Sequence, residues 1–187
     1  MLGSRPLPPL ASIHTVVFDF DGVFTNNKVW VDQDGRESVR CDRGDGLAFD
    51  LVRAFQRRGR LTAEFFIVSK EQNPVVLARA RKLRLACHHS VGDKLSFIEA
   101  YLAGRFPGDP QAFAGLIYLG NDINDLAVMR RAGYAVAPSD AHPTVRDAAH
   151  LVLAQAGGDG FVRAFIERLL RIEALSHDDL EALIVDR

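Results

Sequence analysis

Residues 13–25 read Ile13-His14-Thr15-Val16-Val17-Phe18-Asp19-Phe20-Asp21-Gly22-Val23-Phe24-Thr25. The first part, to Phe20, is apolar and β-branched, and Asp21-Gly22 supplies turn chemistry directly after it. That is the pattern of a buried parallel strand. The strand ends in two carboxylates spaced two apart, which an unbroken strand would send the same way. Two such carboxylates repel, and a divalent cation is the usual remedy; hard oxygen ligands suit magnesium.

The same rhythm repeats outward from this stretch. Lys28-Val29-Trp30-Val31 and Glu37-Ser38-Val39-Arg40 flank Asp34-Gly35, a dipeptide suited to a tight turn, and predict a β-hairpin over about residues 28–40. Leu47, Leu51, Val52 and Phe55 recur at helical spacing up to Gly59, and Phe65-Phe66-Ile67-Val68 then forms a core strand that stops at Ser69. Pro74, capped by Asn73, starts a helix to about Leu83. A short segment follows at Leu85–His88, and Asp93 opens a helix through Tyr101. Ala114–Leu119 is a third strong strand, ending at Gly120-Asn121-Asp122. Further elements are expected as a helix over Asn124–Arg131, a strand over Tyr134–Ala137, a helix near His142–Ala148 and a last helix after Gly160.

Strands alternating with helices imply right-handed crossovers and an α/β fold: a three-layer α/β/α, Rossmann-like core with a mainly parallel sheet. Ligands of such folds bind outside the carboxyl ends of the strands. Asp19, Asp21, Ser69, Asn121 and Asp122 all belong to that edge. The reading divides the chain into a loose lead over residues 1–12, one domain over 13–170 and a tail over 171–187.

Bulk properties remove other classes. At 187 residues with 48% hydrophobic composition, the chain matches one globular domain rather than a disordered protein. A net charge of -1 with mixed signs gives no basic stripe for nucleic acid. Cys41 and Cys87 lack any disulfide or zinc pattern. No signal-like or membrane-length apolar run is found, so the expectation is a cytoplasmic protein without a membrane partner.

Asp19-Phe20-Asp21-Gly22-Val23-Phe24-Thr25 resembles the first motif, DxDGxxT, of the haloacid dehalogenase (HAD) superfamily. Ser69 matches the second motif, Lys94 in Gly92-Asp93-Lys94 the third, and Gly120-Asn121-Asp122-Ile123-Asn124-Asp125 the acidic fourth. The resemblance implies that Asp19 is the nucleophile and a metal ligand. It makes Asp21 the general acid/base and the donor of a main-chain carbonyl to the metal. Ser69 and Lys94 then hold phosphate oxygens. Either Asn121 or Asp122 is the remaining magnesium ligand, with Asp125 orienting ligands from behind.

The gaps between motifs leave no room for a cap domain. The capless pattern resembles the subgroup of 3-deoxy-manno-octulosonate 8-phosphate phosphatases, the nine-carbon sugar-acid 9-phosphate phosphatases and the C-terminal domain of some acylneuraminate cytidylyltransferases. Asp45-Gly46, Ala141-His142-Pro143 and Gly157-Gly158-Asp159-Gly160-Phe161-Val162-Arg163 match it too. That resemblance implies a homotetramer in which hairpins join and Trp30 is covered. Glu71, with Arg79 and Lys82 following on a helix, resembles the nine-carbon enzymes and implies contacts to sugar hydroxyls and a substrate carboxylate. The expected function is a phosphatase for a phosphorylated 2-keto-3-deoxy sugar acid, preferably nine-carbon; an eight-carbon substrate is the alternative. A non-catalytic oligomerisation module is the reading from another class, against which the intact Asp19, Asp21, Ser69 and Lys94 argue.

Overall fold

The computed structural model describes residues 5–185. Its central strand is β1, Thr15–Phe18, buried on both faces as its unbroken apolar run requires. β2, Thr25–Val31, and β3, Glu37–Cys41, form the expected hairpin, a separate antiparallel pair with an irregularity between Thr25 and Val29. The chain continues through α1, Gly44–Arg57; β4, Glu64–Val68; α2, Val75–Leu83; β5, Ala86–His88; and α3, Lys94–Arg105. The second half comprises β6, Leu116–Leu119; α4, Leu126–Arg131; β7, Tyr134–Ala137; α5, Pro143–Ala148; β8, Leu151–Val152; α6, Phe161–Leu170; and α7, His177–Val185.

The main sheet is six-stranded in the order β5-β4-β1-β6-β7-β8, and every pairing in it is parallel. One face carries Phe18, Phe49, Phe65 and Phe165 together with apolar residues of α1, α2, α6 and α7. The Phe18 ring lies 5.4–6.4 Å from those of Phe24, Phe49, Phe65 and Phe165. The opposite face buries Val17, Phe66 and Tyr118 against Ile98 and Leu102 of α3, Met129 of α4 and Val145 of α5. Each fully buried large apolar side chain contributes about 1.5–3 kcal/mol. The two cores cover both faces of the sheet and leave its carboxyl edge open.

Several boundaries differ from the sequence reading. Asp93 caps α3 by accepting the Ser96 N–H at 3.1 Å, but the helix runs on to Arg105. Residues 123–125 make a 3-10 turn before α4 because the Asp122 side chain caps that turn first. β8 was not foreseen. From Arg5 onward the expected loose lead lies against the domain: Arg5 N donates to His150 O, and Leu7 and Leu10 pack on the core. The expected tail likewise folds back, with Leu183 of α7 buried and Ala182 O accepting Arg58. Residues 1–4 and 186–187 of these two segments lie outside the described residues.

Candidate active site

The chain leaves β1, goes to β4 on one side and returns to β6 on the other, so strand order reverses beside β1. Such a switch point opens a crevice at the carboxyl ends. Each motif residue sits one step beyond its strand, with the ladder still holding its backbone. Asp19 N donates to Leu119 O at 2.9 Å, Ser69 N to His88 O at 2.9 Å and Gly120 N to Val136 O at 3.2 Å.

A cavity of about 380 Å³ is lined by Asp19, Asp21, Ser69, Lys70, Glu71, Gln72 and Asn124. Asp19 Oδ1 meets Lys94 Nζ at 2.7 Å and accepts the Phe20 N–H at 2.7 Å. Among the described residues its recorded partners all fall on Oδ1, which leaves Oδ2 for the crevice. Lys94 is 3% exposed and also reaches Asp125 Oδ1 at 2.8 Å. Asp125, fully buried, is spent on that lysine, on the Tyr118 hydroxyl at 2.8 Å and on the N–H groups of Asn121 and Asp122 at 3.0 and 3.3 Å. It therefore organises the site from behind.

Burial, and then the Asp125 carboxylate, push Asp19 up to about 8, with Lys94 opposing. Burial works to lower the Lys94 ammonium, yet Asp19 and Asp125 outweigh it and hold it above its ordinary value. Lys94 Nζ thus sits between the two carboxyl groups, at 2.7 Å from Asp19 and 2.8 Å from Asp125. Asp21 is also held above the usual carboxylate range, by burial and then by the charge of Glu71, while Thr25 Oγ1 donates to its Oδ1 at 3.4 Å.

Asn121 and Asp122 differ in what each side chain already does. Asp122 is exposed, and its Oδ1 accepts the Ile123 N–H at 2.7 Å as a turn cap. Asn121 is buried, and its Oδ1 has no hydrogen-bond partner. An orphaned buried oxygen is costly unless something absent from the protein alone satisfies it. Among the described residues no three His, Cys, Asp or Glu side chains cluster as metal ligands. The Asn121 amide oxygen and the Asp19 carboxylate are hard-oxygen donors of the kind that would suit magnesium.

Ser69 Oγ accepts the Glu71 N–H at 3.1 Å, so its own hydrogen is left to donate into the crevice. Glu71 lines that crevice, although its Oε1 is taken by the N–H groups of Gln72 and Asn73, both at 2.7 Å. Arg79 and Lys82 are not brought to it. They line a separate cavity with Arg43 and Cys41, and Arg79 is engaged by Asp45 Oδ2 at 3.4 Å and by Asp42 O. Within one chain, α2 turns its basic face toward the start of α1 rather than toward Glu71. Sequence reading missed Asn124 as a lining residue and Tyr118 as a buried partner of Asp125. Asn124 lies inside the fourth motif and Tyr118 in the strand before it, and an alternation rule stops at Gly120.

Over 92% of this chain and 94% of the other, a crystal structure of a HAD family hydrolase from Streptomyces avermitilis superposes with a TM-score of 0.79 and 36% identity. The chain belongs to the HAD family of hydrolases. No family model matches it. This HAD hydrolase is 28% identical over 174 residues to the 3-deoxy-D-manno-octulosonate 8-phosphate phosphatase of Yersinia pestis, covering 91% of this chain and 84% of that one. It shares its fold with the corresponding phosphatase of Moraxella catarrhalis, crystallised with magnesium, phosphate and KDO. There the TM-score is 0.76 and identity 21%, over 95% and 94% of the two chains. The capless phosphatase form of the family is the one seen here: between β1 and α1 stands only the hairpin, and no domain is inserted between Ser69 and Lys94.

Proposed function

We propose that this HAD hydrolase is a magnesium-dependent phosphomonoesterase for a phosphorylated 2-keto-3-deoxy sugar acid, with Asp19 as its nucleophile. The observation that carries the reading is Asp19 itself, anchored through Oδ1 by Lys94 and Phe20 N with its other oxygen toward the crevice. Asp19 Oδ2 attacks phosphorus, and the bond from phosphorus to the sugar oxygen breaks. The Asp21 carboxyl gives its proton to that oxygen, so the sugar leaves as a neutral alcohol and Asp19 becomes an aspartyl phosphate. Asp21, now a carboxylate, takes a proton from water as the water attacks phosphorus. Asp19 is released, and inorganic phosphate departs.

Magnesium, held by Asp19, the Asp21 carbonyl and Asn121 Oδ1, would offset phosphate charge. Lys94 and the Ser69 hydroxyl stabilise the same oxygens by fixed position, the main resource in phosphoryl transfer. Asp122 serves as the cap rather than a ligand in this reading.

The substrate class rests on the octulosonate phosphatase relative and on Glu71 at the crevice wall. An acidic wall favours sugar hydroxyls or an amine as hydrogen-bond donors, and this supports a nine-carbon acid. The substrate for which that relative is named favours the eight-carbon ester, which stands as the second reading. Arg79 and Lys82 meet a substrate carboxylate only if a neighbouring copy brings such a pair to the crevice. Trp30, 57% exposed on β2 between exposed Val29 and Val31, supports the homotetramer that would do so. Among the described residues no helix is long and apolar enough to cross a membrane.

The test is phosphate release by the purified protein, with and without magnesium, from eight- and nine-carbon sugar-acid phosphates and from simple esters. Selective, magnesium-dependent release from the sugar acids is expected. Equal slow release from every ester would reject the substrate class, and no release from a folded protein would reject the enzyme reading.

A further inference from the structure

Four loops meet behind the candidate metal position, and only two of them belong to the motifs. The first holds Gly22, whose Cα lies so close to Asn121 that an added β-carbon would stand 1.8 Å from Asn121 Nδ2. The second holds Asn121, whose main-chain oxygen accepts the His142 N–H at 2.9 Å. That bond ties the second loop to the third, residues 138–142. The fourth contains Gly157 and Gly158. A β-carbon on Gly157 would fall 2.0 Å from Gly22 O, and one on Gly158 would fall 2.5 Å from Asn26 N. Gly158 N also donates to Val23 O at 3.1 Å.

One side chain closes this ring. Asp140 Oδ1 accepts the N–H of buried Gly157 at 2.9 Å. The carboxylate thus joins the third loop, which grips Asn121 through His142, to the fourth, whose bare backbone presses on Gly22. Gly22 in turn presses on the Asn121 amide. Losing the acceptor would leave a buried N–H unpaired and loosen the fourth loop at Gly157, where it presses on Gly22, even though Gly158 N and Gln155 O remain bonded to Val23 O and Ser139 N.

We infer that Asp140 is a positioning residue for the metal site, setting the spacing between the Asp21-Gly22 backbone and the Asn121 amide by fixing Gly157. It does not touch the metal or the substrate. The inference rests on the reading of Asn121 as a ligand. Neighbours that orient ligands typically change metal affinity by about 10- to 100-fold when removed.

The experiment is calorimetric titration of magnesium into the substrate-free protein and its variants, a readout independent of turnover. Asp140→Ala is expected to weaken binding about tenfold. Asp140→Asn, which keeps an oxygen acceptor and removes the charge, should restore most of the affinity. If Asp140→Asn is as weak as Asp140→Ala, the residue acts only as a nearby negative charge and the inference is overturned. Asp140→Glu keeps the charge on a longer arm and should also bind weakly, so native affinity in that variant overturns it too and decides the matter should the alanine variant not fold. Asn121→Ala separates the two levels. If it loses affinity while Asp140→Ala does not, the inference fails alone; if Asn121→Ala binds magnesium like the native protein, the ligand assignment beneath it fails.

Discussion

Gly22 and Asn121 occupy space that neither could share with a side chain: a β-carbon on Gly22 would lie 2.4 Å from Asn121 Cγ, and Gly22 holds φ at +75°. Both facts demand glycine, one by contact and one by backbone conformation. Gly22→Ala should displace the Asn121 amide while leaving Asp19 and Lys94 in place. We expect kcat/KM to fall at least about 100-fold, as misplacement by an ångström does, with a weaker magnesium affinity by titration. Native kinetics in that variant would separate Asn121 from the chemistry.

Lys94 lies between Asp19 and Asp125, at 2.7 and 2.8 Å, in a buried setting. Lys94→Met removes the ammonium between them and leaves two buried carboxyl groups together. Breaking a buried pair in this way costs about 3–5 kcal/mol, to be read from urea unfolding. Added magnesium should recover part of that loss, because a ligand that binds only the native state stabilises it. Stability unchanged by the substitution would contradict the buried network.

Asp45 gives a pH dependence with a definite sign. Burial pushes its carboxyl up to about 7, Arg79 opposes, and Asp42 adds to the rise. Between the unfolded value of 3.8 and about 7, the folded protein holds a proton that the unfolded chain has released. Asp45 therefore lowers stability as pH rises through that window. Relative to Asp45→Asn, the native protein should lose on the order of 2–4 kcal/mol between pH 4 and pH 8. Urea unfolding of both proteins across that range checks it; parallel curves would contradict it.

Glu71 is the candidate for substrate choice. Replacing it by arginine should lower kcat/KM for a nine-carbon acid phosphate about tenfold more than for a simple aryl phosphate. An equal effect on both would confine Glu71 to its bonds with Gln72 and Asn73 and to its charge on Asp21.

Much of this was legible in the sequence because it follows from local rules. Apolar runs that stop at Asp19, Ser69 and Gly120 announce parallel strands and the edge where their polar residues gather. Pro74 and Asp93 announce helix starts. What was hidden depends on contacts between distant segments. β8 is two residues long, too short for any periodicity, and exists because β7 offers it an edge. Whether Asn121 or Asp122 faces inward is undecidable from alternation, since the strand has ended; the Asp122 cap decides it. Arg79 and Lys82 follow Glu71 at helical spacing, yet the orientation of α2 against α1 sends them to another cavity. Asp140 and Gly157 carry no signal of their partnership, which arises only when two loops are folded together.

The most direct test of the account is to capture the covalent intermediate on Asp19. Rapid acid quench of the protein turning over a sugar-acid ester labelled in its phosphoryl group should leave label on the peptide containing Asp19, in a base-labile bond. Asp19→Asn should carry none while keeping its native fold. Phosphate release without any labelled protein, or release undiminished in Asp19→Asn, would contradict the assignment of the nucleophile.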